Sequence, residues 1–253
     1  MAINKRRRYA TRSIKVIGLF VSRRQFLGKA GVEFDARKFQ YIGVPAQDNY
    51  MLGVHKSTGI TSIEQWLTAK TLVKFGGVGV GSATDDIPKV LGAAIGLPFQ
   101  LVSGYKGTAD VRLAFNSGEI NGICNSWESF KATWSKELSA GEVVIVLQNV
   151  AKPHPDQPRL PLAINYAKTE EGQKLIRALV HSVGPTARPY VLPPGTPKDR
   201  VQILRKAFID TVKDPDKFTA RPIVSFPSAT SSRVRCSRMP PMAADTRVSP
   251  GSG

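Results

Sequence analysis

A glycine-containing turn near the middle of the chain has the residue types that bind an anion. Gly79 lies near the end of the apolar run VKFGGVGV, and Gly81 and Ser82 follow it. They precede TDDIPKVLGAAIG, whose apolar residues recur at helical spacing. Free backbone N–H groups at such a turn attract negative charge, as does a helix N-terminus. The hydroxyls of Ser82 and Thr84 add two donors. We predict that this turn holds a carboxylate; on spacing alone, a plain structural turn is the alternative.

The same turn does not have the spacing of a nucleotide-binding loop. A Walker A loop carries Lys followed by Ser or Thr after its last glycine, whereas here Ser-Ala follows. The dinucleotide fingerprint GxGxxG does not fit the run GVGVG either. Both nucleotide interpretations are therefore rejected.

A second turn, YKGT at 105–108, begins where the apolar run FQLVSGY ends. Like the first turn, it combines a glycine with a hydroxyl residue before a predicted helix. Thr108 is predicted to cap the following helix, and Lys106 either attracts an acid or stays solvated. Asn125 and Trp127 end a third strand at the same crevice, and Trp127 either closes over the ligand or packs in the core. The candidate ligand-binding residues are Gly79, Gly81, Ser82, Thr84, Tyr105, Gly107, Thr108, Asn125 and Trp127.

No constellation for catalysis or for metal binding is found. His55, His154 and His181 lack metal-ligand spacing, and the chain contains neither GxSxG nor HExxH. We expect no metal, no cofactor and no enzymatic activity.

Short apolar runs alternating with helical patterns predict a parallel α/β sheet. Thr84 is predicted to cap the helix after the first turn, with Asp85 and Asp86 complementing its dipole. Further strands are predicted in FQYIGVP, YMLGVHK and VVIVLQ. Further helices are predicted over 62–69, 126–138, 169–181 and 197–213, the last with Val201, Leu204, Phe208 and Val212 on one stripe.

The formal net charge of +17 is concentrated at the two ends of the chain. Residues 1–30 hold nine basic residues and no acidic one, and residues 221–253 hold five arginines and one aspartate. A basic arm can bind nucleic acid without sequence preference, but no zinc-finger or RNA-binding motif accompanies it. A solvated arm is the preferred interpretation, and no nucleic-acid partner is expected.

Three segments resemble, in order, the substrate-binding proteins of tripartite tricarboxylate transporters, the Bug family. They are QFLGKAGVEFDARKFQYIGVPAQDNYMLGVHKSTGITSIEQW, GSATDDIPKVL…GLPFQLVSGYKGTADVRLAFNSGEINGIC and ARPYVLPPGTPKDRVQILRKAFIDTVKDPDKF, which together cover about residues 25–218. The resemblance implies a type II periplasmic-binding-protein fold with two lobes, two crossovers and a small organic acid held between the lobes. It also implies a monomer in the periplasm that delivers its ligand to membrane transporter subunits. Arg188, in the second crossover, either pairs a carboxylate or is a surface hinge residue.

The resemblance divides the chain into four regions. Residues 1–24 are predicted to be a basic disordered arm, 25–57 with 186–218 an incomplete first lobe, 58–185 a second lobe, and 219–253 an irregular tail. The family's opening strand and its clasp on the ligand are not recognised before Gln25. A twin-arginine pair at 23–24 is not followed by an apolar stretch, so we expect no signal peptide. A non-functional remnant of the family is therefore an alternative to a working binding protein.

Overall fold

The computed structural model of the chain describes residues 15–16 and 34–214. In that part of the chain the strands are β1 Lys15–Val16, β2 Gln40–Gly43, β3 Tyr50–His55, β4 Val73–Gly77, β5 Phe99–Ser103, β6 Gly122–Ser126, β7 Val143–Gln148 and β8 Tyr190–Leu192. The α-helices are α1 Ile63–Leu67, α2 Ala83–Ile95, α3 Thr108–Asn116, α4 Trp127–Thr133, α5 Ser135–Ser139, α6 Glu170–Ile176 and α7 Lys198–Lys213. A π-helical turn, Arg177–His181, continues α6, and 3₁₀ turns span Ala36–Lys38, Lys56–Thr58, Ala163–Tyr166 and Gly184–Thr186. The predicted α/β class is confirmed.

Five strands form the larger sheet, in the order β5-β4-β6-β3-β7. β4 pairs in parallel with β5 and with β6, as the alternation of strands and helices predicts. β3 is antiparallel to both β6 and β7, so the sheet as a whole is mixed, while the three strands for which the sequence predicts parallel pairing are parallel. β3 enters directly from the smaller sheet through residues 44–49, and an antiparallel strand needs no crossover helix.

Apolar side chains cover both faces of the larger sheet. On one face Trp66 of α1 stacks on Phe75 of β4, with ring centroids 5.6 Å apart, and its Nε1–H donates to the Pro98 carbonyl at 3.0 Å. On the other face Phe115 of α3 meets the ring of Trp134 edge-on at 5.2 Å. The sheet is thus held between two helical layers, as a buried parallel sheet requires.

The smaller sheet has the order β1-β8-β2 and is antiparallel. Helix α7 packs on it through Val201, Leu204 and Phe208, as the predicted stripe requires. Residues 15–16 form β1, although they belong to the predicted disordered arm, 1–24. The other residues of that arm and the whole predicted tail, 219–253, lie outside the described residues.

Two connections join the sheets within the described residues, 44–49 and 182–189. The predicted first lobe includes Tyr50–His55, but this strand pairs inside the larger sheet, so the first connection precedes it. The Asp48 N–H donates to the Gly184 carbonyl at 3.2 Å, so the connections touch backbone to backbone. The boundaries of the two lobes stay a prediction.

Hydroxyl side chains at two of the predicted helix starts act as caps. The Ser62 and Thr169 hydroxyls accept from the backbone N–H three residues later, at 3.3 and 3.0 Å. The predicted helix 126–138 is interrupted at Trp134, whose φ of −121° is not helical. The fully buried Trp134 ring packs on Phe115 and Phe130, which holds the backbone at this break. No described helix is long and apolar enough to span a bilayer.

His181, at the end of the π-helical turn, makes stability depend on pH. Burial, with a smaller effect from the charge of Arg177, lowers its pKa below the ordinary 6.5. Below pH 6.5 the unfolded chain therefore binds a proton that the folded chain does not, and stability falls as pH falls. We expect H181Q to flatten this part of the profile, as measured by urea midpoints between pH 7.5 and 5. Parallel profiles for the two proteins would contradict the assignment.

Candidate functional site

The carboxyl ends of three neighbouring strands meet at one edge of the larger sheet. β4, β5 and β6 are parallel and end at Gly77, Ser103 and Ser126. The N–H groups of Gly104 and Tyr105 both donate to the Gly77 carbonyl, at 2.9 and 3.2 Å. The two predicted anion-binding turns are thus adjacent, at the position where α/β sheets bind ligands.

The glycine turn already holds a carboxylate, and that carboxylate belongs to the chain itself. Asp85 is fully buried, and its Oδ1 accepts from the Gly79 N–H at 3.0 Å and lies 3.1 Å from the Ser82 Oγ. The Ser103 hydroxyl donates to Asp85 Oδ2 at 2.5 Å. The expectation that the N–H groups of this turn are free is therefore wrong at Gly79.

The neighbouring N–H groups of the turn also have partners within the chain. The Gly81 N–H donates to Asp86 Oδ1 at 3.1 Å, and the Val78 N–H donates to the Thr84 hydroxyl at 3.2 Å. Gly79 and Gly81 have φ values of 141° and 92°, a region that favours glycine. These two glycines therefore shape a turn that closes around the first turn of α2.

Gly77 has to be glycine because Asp85 lies against it. An ideal Cβ at Gly77 would lie 2.1 Å from Asp85 Oδ1, closer than any stable contact. The predicted cap of α2 is also displaced by two residues. Ser82, not Thr84, is the N-cap, and Thr84 instead binds the Val78 N–H from inside the helix.

The second turn is more open than the first. Gly107, not Thr108, is the N-cap of α3, and Thr108 is the first helical residue. Within the described residues, the N–H groups of Lys106, Gly107 and Thr108 have no protein partner. The Tyr105 hydroxyl donates to Glu119 at 2.6 Å; burial, followed by this bond, raises the pKa of Tyr105 to about 12. Tyr105 thus contributes to the edge through its backbone.

Asn125 and Trp127 are occupied by contacts within the chain. Asn125 is buried; its Nδ2 donates to the Ser129 Oγ at 3.1 Å and its Oδ1 accepts from the Ser126 N–H at 2.9 Å. The buried Trp127 ring packs in the core, and its Nε1–H donates to Asp156 at 2.8 Å. Of the two predicted roles for Trp127, core packing is the one that this structure shows.

The first connection reaches the same edge through charged and polar side chains. The Asn49 N–H and Nδ2 donate to the two oxygens of Glu128, at 3.1 and 2.7 Å. Arg188 pairs with Asp48 across the two connections at 3.2 Å, so its partner here is a carboxylate of the chain itself. Burial raises the pKa of Asp48 against the opposing charge of Arg188.

Sequence reasoning missed three polar residues of this edge: Asp48, Asn49 and Asn149. All three flank buried apolar strands: Asp48 and Asn49 precede YMLGVH, and Asn149 follows VVIVLQ. A polar residue next to an apolar strand is also the pattern that identifies Asn125. The same pattern therefore points to Asp48, Asn49 and Asn149. For Asp85 the sequence predicts only a charge that complements the helix dipole.

A cavity of about 470 Å³ lies away from this edge. Residues from the start of α1, from β7, from the loop 157–161 and from Tyr166 line it, and none of the predicted ligand-binding residues does. The described residues contain no group of three or more His, Cys, Asp and Glu side chains that could hold a metal ion. Cys124 is buried and free, and burial raises the pKa of its thiol.

Several solved structures share the arrangement of this chain. A TctC solute-binding protein from Polaromonas is 19% identical with a TM-score of 0.59, covering 79% of this chain and 64% of that one. The periplasmic binding protein BugD is 20% identical with a TM-score of 0.58, covering 81% and 64%. MatC from Rhodopseudomonas palustris with bound malate is 16% identical with a TM-score of 0.54, covering 79% and 64%.

The chain has the fold of a periplasmic solute-binding protein. It spans about 64% of the length of each of these three structures. No protein-family model and no curated protein matches it. The type II periplasmic-binding-protein fold expected from the resemblance is therefore confirmed.

Proposed function

We propose that this chain is a solute-binding protein of the Bug family that captures a small organic acid for a tripartite tricarboxylate transporter. The fold supports the role, and MatC, one of the similar structures, holds malate. In this role the chain acts outside the cytoplasm as a monomer, delivers the acid to membrane subunits and carries out no chemical reaction.

The observation that carries the proposal is the open second turn beside the occupied first one. The N–H groups of residues 106–108 have no protein partner in the described structure. In the first turn, by contrast, the Gly79 and Gly81 N–H groups donate to the carboxylates of Asp85 and Asp86. A carboxylate of the solute is therefore proposed to bind at Gly107 and Thr108, at the N-terminus of α3. Gly79, Gly81, Ser82 and Thr84 shape the neighbouring wall of the cleft.

The two connections that touch at Asp48 and Gly184 are proposed to be the hinge. Closure of the lobes would bring the smaller sheet over the strand ends and remove the acid from water. Asn125 and Trp127 are proposed to support the floor of the cleft rather than to close over the solute, because their polar atoms bind Ser129, Ser126 and Asp156.

Thermal unfolding with a panel of acids tests the proposed function. Malate, succinate, adipate and citrate are each compared with butane-1,4-diol, a neutral control, at matched ionic strength. A solute at a hundredfold its Kd stabilises by about 2.7 kcal/mol, which raises the Tm of a chain of this size by about 5–10 °C. Equal Tm values with every acid and with the diol would overturn the proposal.

Gly107→Ala separates ligand binding from stability. Gly107 has an extended φ of −179°, and a Cβ there would have no neighbour within 4 Å. Alanine restricts the unfolded chain but is a poorer N-cap residue than glycine, so we expect the stability to change by about 1 kcal/mol or less. The added methyl group enters the space proposed for the carboxylate, so acid affinity should fall about tenfold, equal to about 1.4 kcal/mol. Calorimetric titration of both proteins measures this, and equal affinities would argue against the second turn as the site.

A further inference from the structure

The cavity beside β7 is lined by two side chains of opposite charge, Glu64 at the start of α1 and Arg159 in the loop 157–161. Both are exposed, and within the described residues neither forms an ion pair, with the other or with any third side chain. The cavity volume of about 470 Å³ lies in the range of small-molecule sites in proteins. The two charges therefore line a space large enough for a ligand, and the chain itself compensates neither of them.

The Glu64 carboxylate is held in place and in its charged form. The Tyr166 hydroxyl donates to Glu64 Oε1 at 2.5 Å. This bond, with smaller effects from the Glu64 backbone N–H and the Ser62 hydroxyl, lowers the pKa of Glu64. Burial, followed by the bond to Glu64, raises the pKa of Tyr166 to about 12, so Tyr166 keeps its proton at neutral pH and remains a donor. One wall of the cavity thus presents a fixed negative charge.

The backbone that carries Arg159 is fixed by a buried amide of β7. Gln148 is fully buried, and its Nε2 donates to the Gln157 carbonyl at 2.8 Å and to the Leu160 carbonyl at 2.6 Å. The backbone N–H of Gln148 donates to the Pro161 carbonyl at 2.8 Å. Residues on both sides of Arg159 are therefore bound to the sheet, and the opposite wall presents a positive charge from a supported loop.

Apolar side chains share the cavity with the two charges. Ile63 and Val146 are buried, and Leu160 and Pro161 are half-buried. The register of β3 with β7 shifts at Val146, which has no partner residue on β3, and β7 is an edge strand of the sheet. A bulge of this kind redirects side chains and is frequent beside binding and active sites. The cavity thus combines an apolar surface with one charge of each sign.

We propose that this cavity is a second binding site, and that its ligand is a zwitterion with an apolar body, either a free amino acid or a short peptide. The carboxylate of the ligand binds the Arg159 guanidinium, which can donate two parallel hydrogen bonds. The ammonium group donates to the Glu64 carboxylate, and the apolar body covers Val146 and Leu160. A ligand with a single charge would leave one of the two protein charges without a partner. None of the residues proposed to bind the acid at the strand ends lines the cavity, so the inference does not rest on the proposed function.

L-Leucine and two analogues that each lack one charge test the inference. 4-Methylpentanoate has no ammonium group, and 3-methylbutylamine has no carboxylate. Hydrogen bonds to charged groups are strong, so we expect leucine to bind about tenfold more tightly than either analogue in calorimetric titrations at matched ionic strength. L-Leucyl-L-alanine, a zwitterion whose charges lie further apart, distinguishes the two sources: the zwitterion that binds more tightly identifies the ligand as a free amino acid or as a peptide.

Two variants locate the binding in this cavity. Glu64→Gln removes the negative charge and keeps an oxygen acceptor for Tyr166, so it should bind leucine and 4-methylpentanoate with nearly equal affinity. Arg159→Gln should bind leucine and 3-methylbutylamine with nearly equal affinity. Each comparison is made within one variant, so a change in its stability does not alter the result. Glu171→Gln and Lys152→Gln, matched controls that remove exposed charges outside the cavity, should keep the full preference for leucine.

The outcomes separate this inference from the proposed function. A wild-type chain that binds both zwitterions no more tightly than the analogues with one charge overturns the inference. The same holds if Glu64→Gln or Arg159→Gln keeps the full preference, because leucine would then bind elsewhere. A chain whose Tm responds to none of the acids of the panel, but which prefers leucine in the way described, overturns the proposed function and supports the second site.

Discussion

Asp85→Ala is expected to lower the free energy of unfolding by about 3 kcal/mol, since hydrogen bonds to a charged group contribute about 1.5–3 kcal/mol each and are not additive. The carboxylate is fully buried and accepts from the Gly79 N–H and the Ser103 hydroxyl. Removing it leaves both donors without their acceptor and leaves the space beside Gly77 empty. The urea midpoint measures the change, and the slope of the transition should not alter.

Two variants test whether the effect belongs to the buried carboxylate. Asp86→Ala removes a half-buried carboxylate that accepts from the Gly81 N–H, and should cost about 1 kcal/mol or less. Asp85→Asn keeps the shape and one oxygen acceptor, so its cost should fall between those of the two alanine variants. A loss in Asp85→Ala no larger than that in Asp86→Ala would contradict the role of Asp85 as the anion of the glycine turn.

The same prediction shows where sequence reasoning stops at this turn. The run GGVGVGS followed by a helical pattern correctly predicts a strand, a turn and a helix, because each depends on local spacing. The partner of the Gly79 N–H is a side chain six residues later, after the backbone has reversed. An aspartate in the first turn of a helix has the same local pattern whether it faces solvent or folds back on the preceding turn.

The position of Tyr50–His55 in the larger sheet is a second feature that the sequence does not predict. The run YMLGVHK predicts a strand, but an apolar run of this length fits either sheet, because strand pairing depends on distant residues. Its neighbours in the structure, β6 and β7, lie about 70 and 90 residues further along the chain. The family resemblance predicts the fold correctly, and the direction of this strand is known only from the structure.

The site shows the same division between local and distant information. Polar residues at strand ends, such as Asn125, are identified by their place in the sequence, and the structure brings them to one edge. Whether each side chain can bind a ligand depends on its hydrogen-bond partners elsewhere in the chain. Asn125 donates to the Ser129 hydroxyl, and Trp127 donates to the Asp156 carboxylate. For this reason the sequence does not distinguish Asn149, the buried amide of this edge without a partner in the described structure.

Gly184→Ala is expected to separate the two connections between the sheets. An ideal Cβ at Gly184 would lie 2.2 Å from the Asp48 carbonyl oxygen, and a backbone atom cannot rotate away as a side chain can. The backbone must therefore move, and the Asp48 N–H to Gly184 carbonyl bond of 3.2 Å must lengthen. Overpacking of this kind costs about 1–3 kcal/mol, and we expect about 2–3 kcal/mol here, since a hydrogen bond is strained as well.

Because the connections form the proposed hinge, Gly184→Ala should also weaken acid binding, whereas loss of the Arg188–Asp48 ion pair should not. The Arg188 side chain is 62% exposed, but its partner Asp48 is only 8% exposed and would lose its cation, so Arg188→Ala should cost about 1–2 kcal/mol. The clash involves a carbonyl, so Asp48→Ala should not rescue Gly184→Ala in the double variant. Urea midpoints and acid titrations are measured for the wild type, Gly184→Ala, Arg188→Ala and the double variant. They decide whether backbone contact or ion pairing holds the two connections together. A Gly184→Ala chain as stable as the wild type would show that the connections can separate without cost, and contact between their backbones would then not hold the hinge.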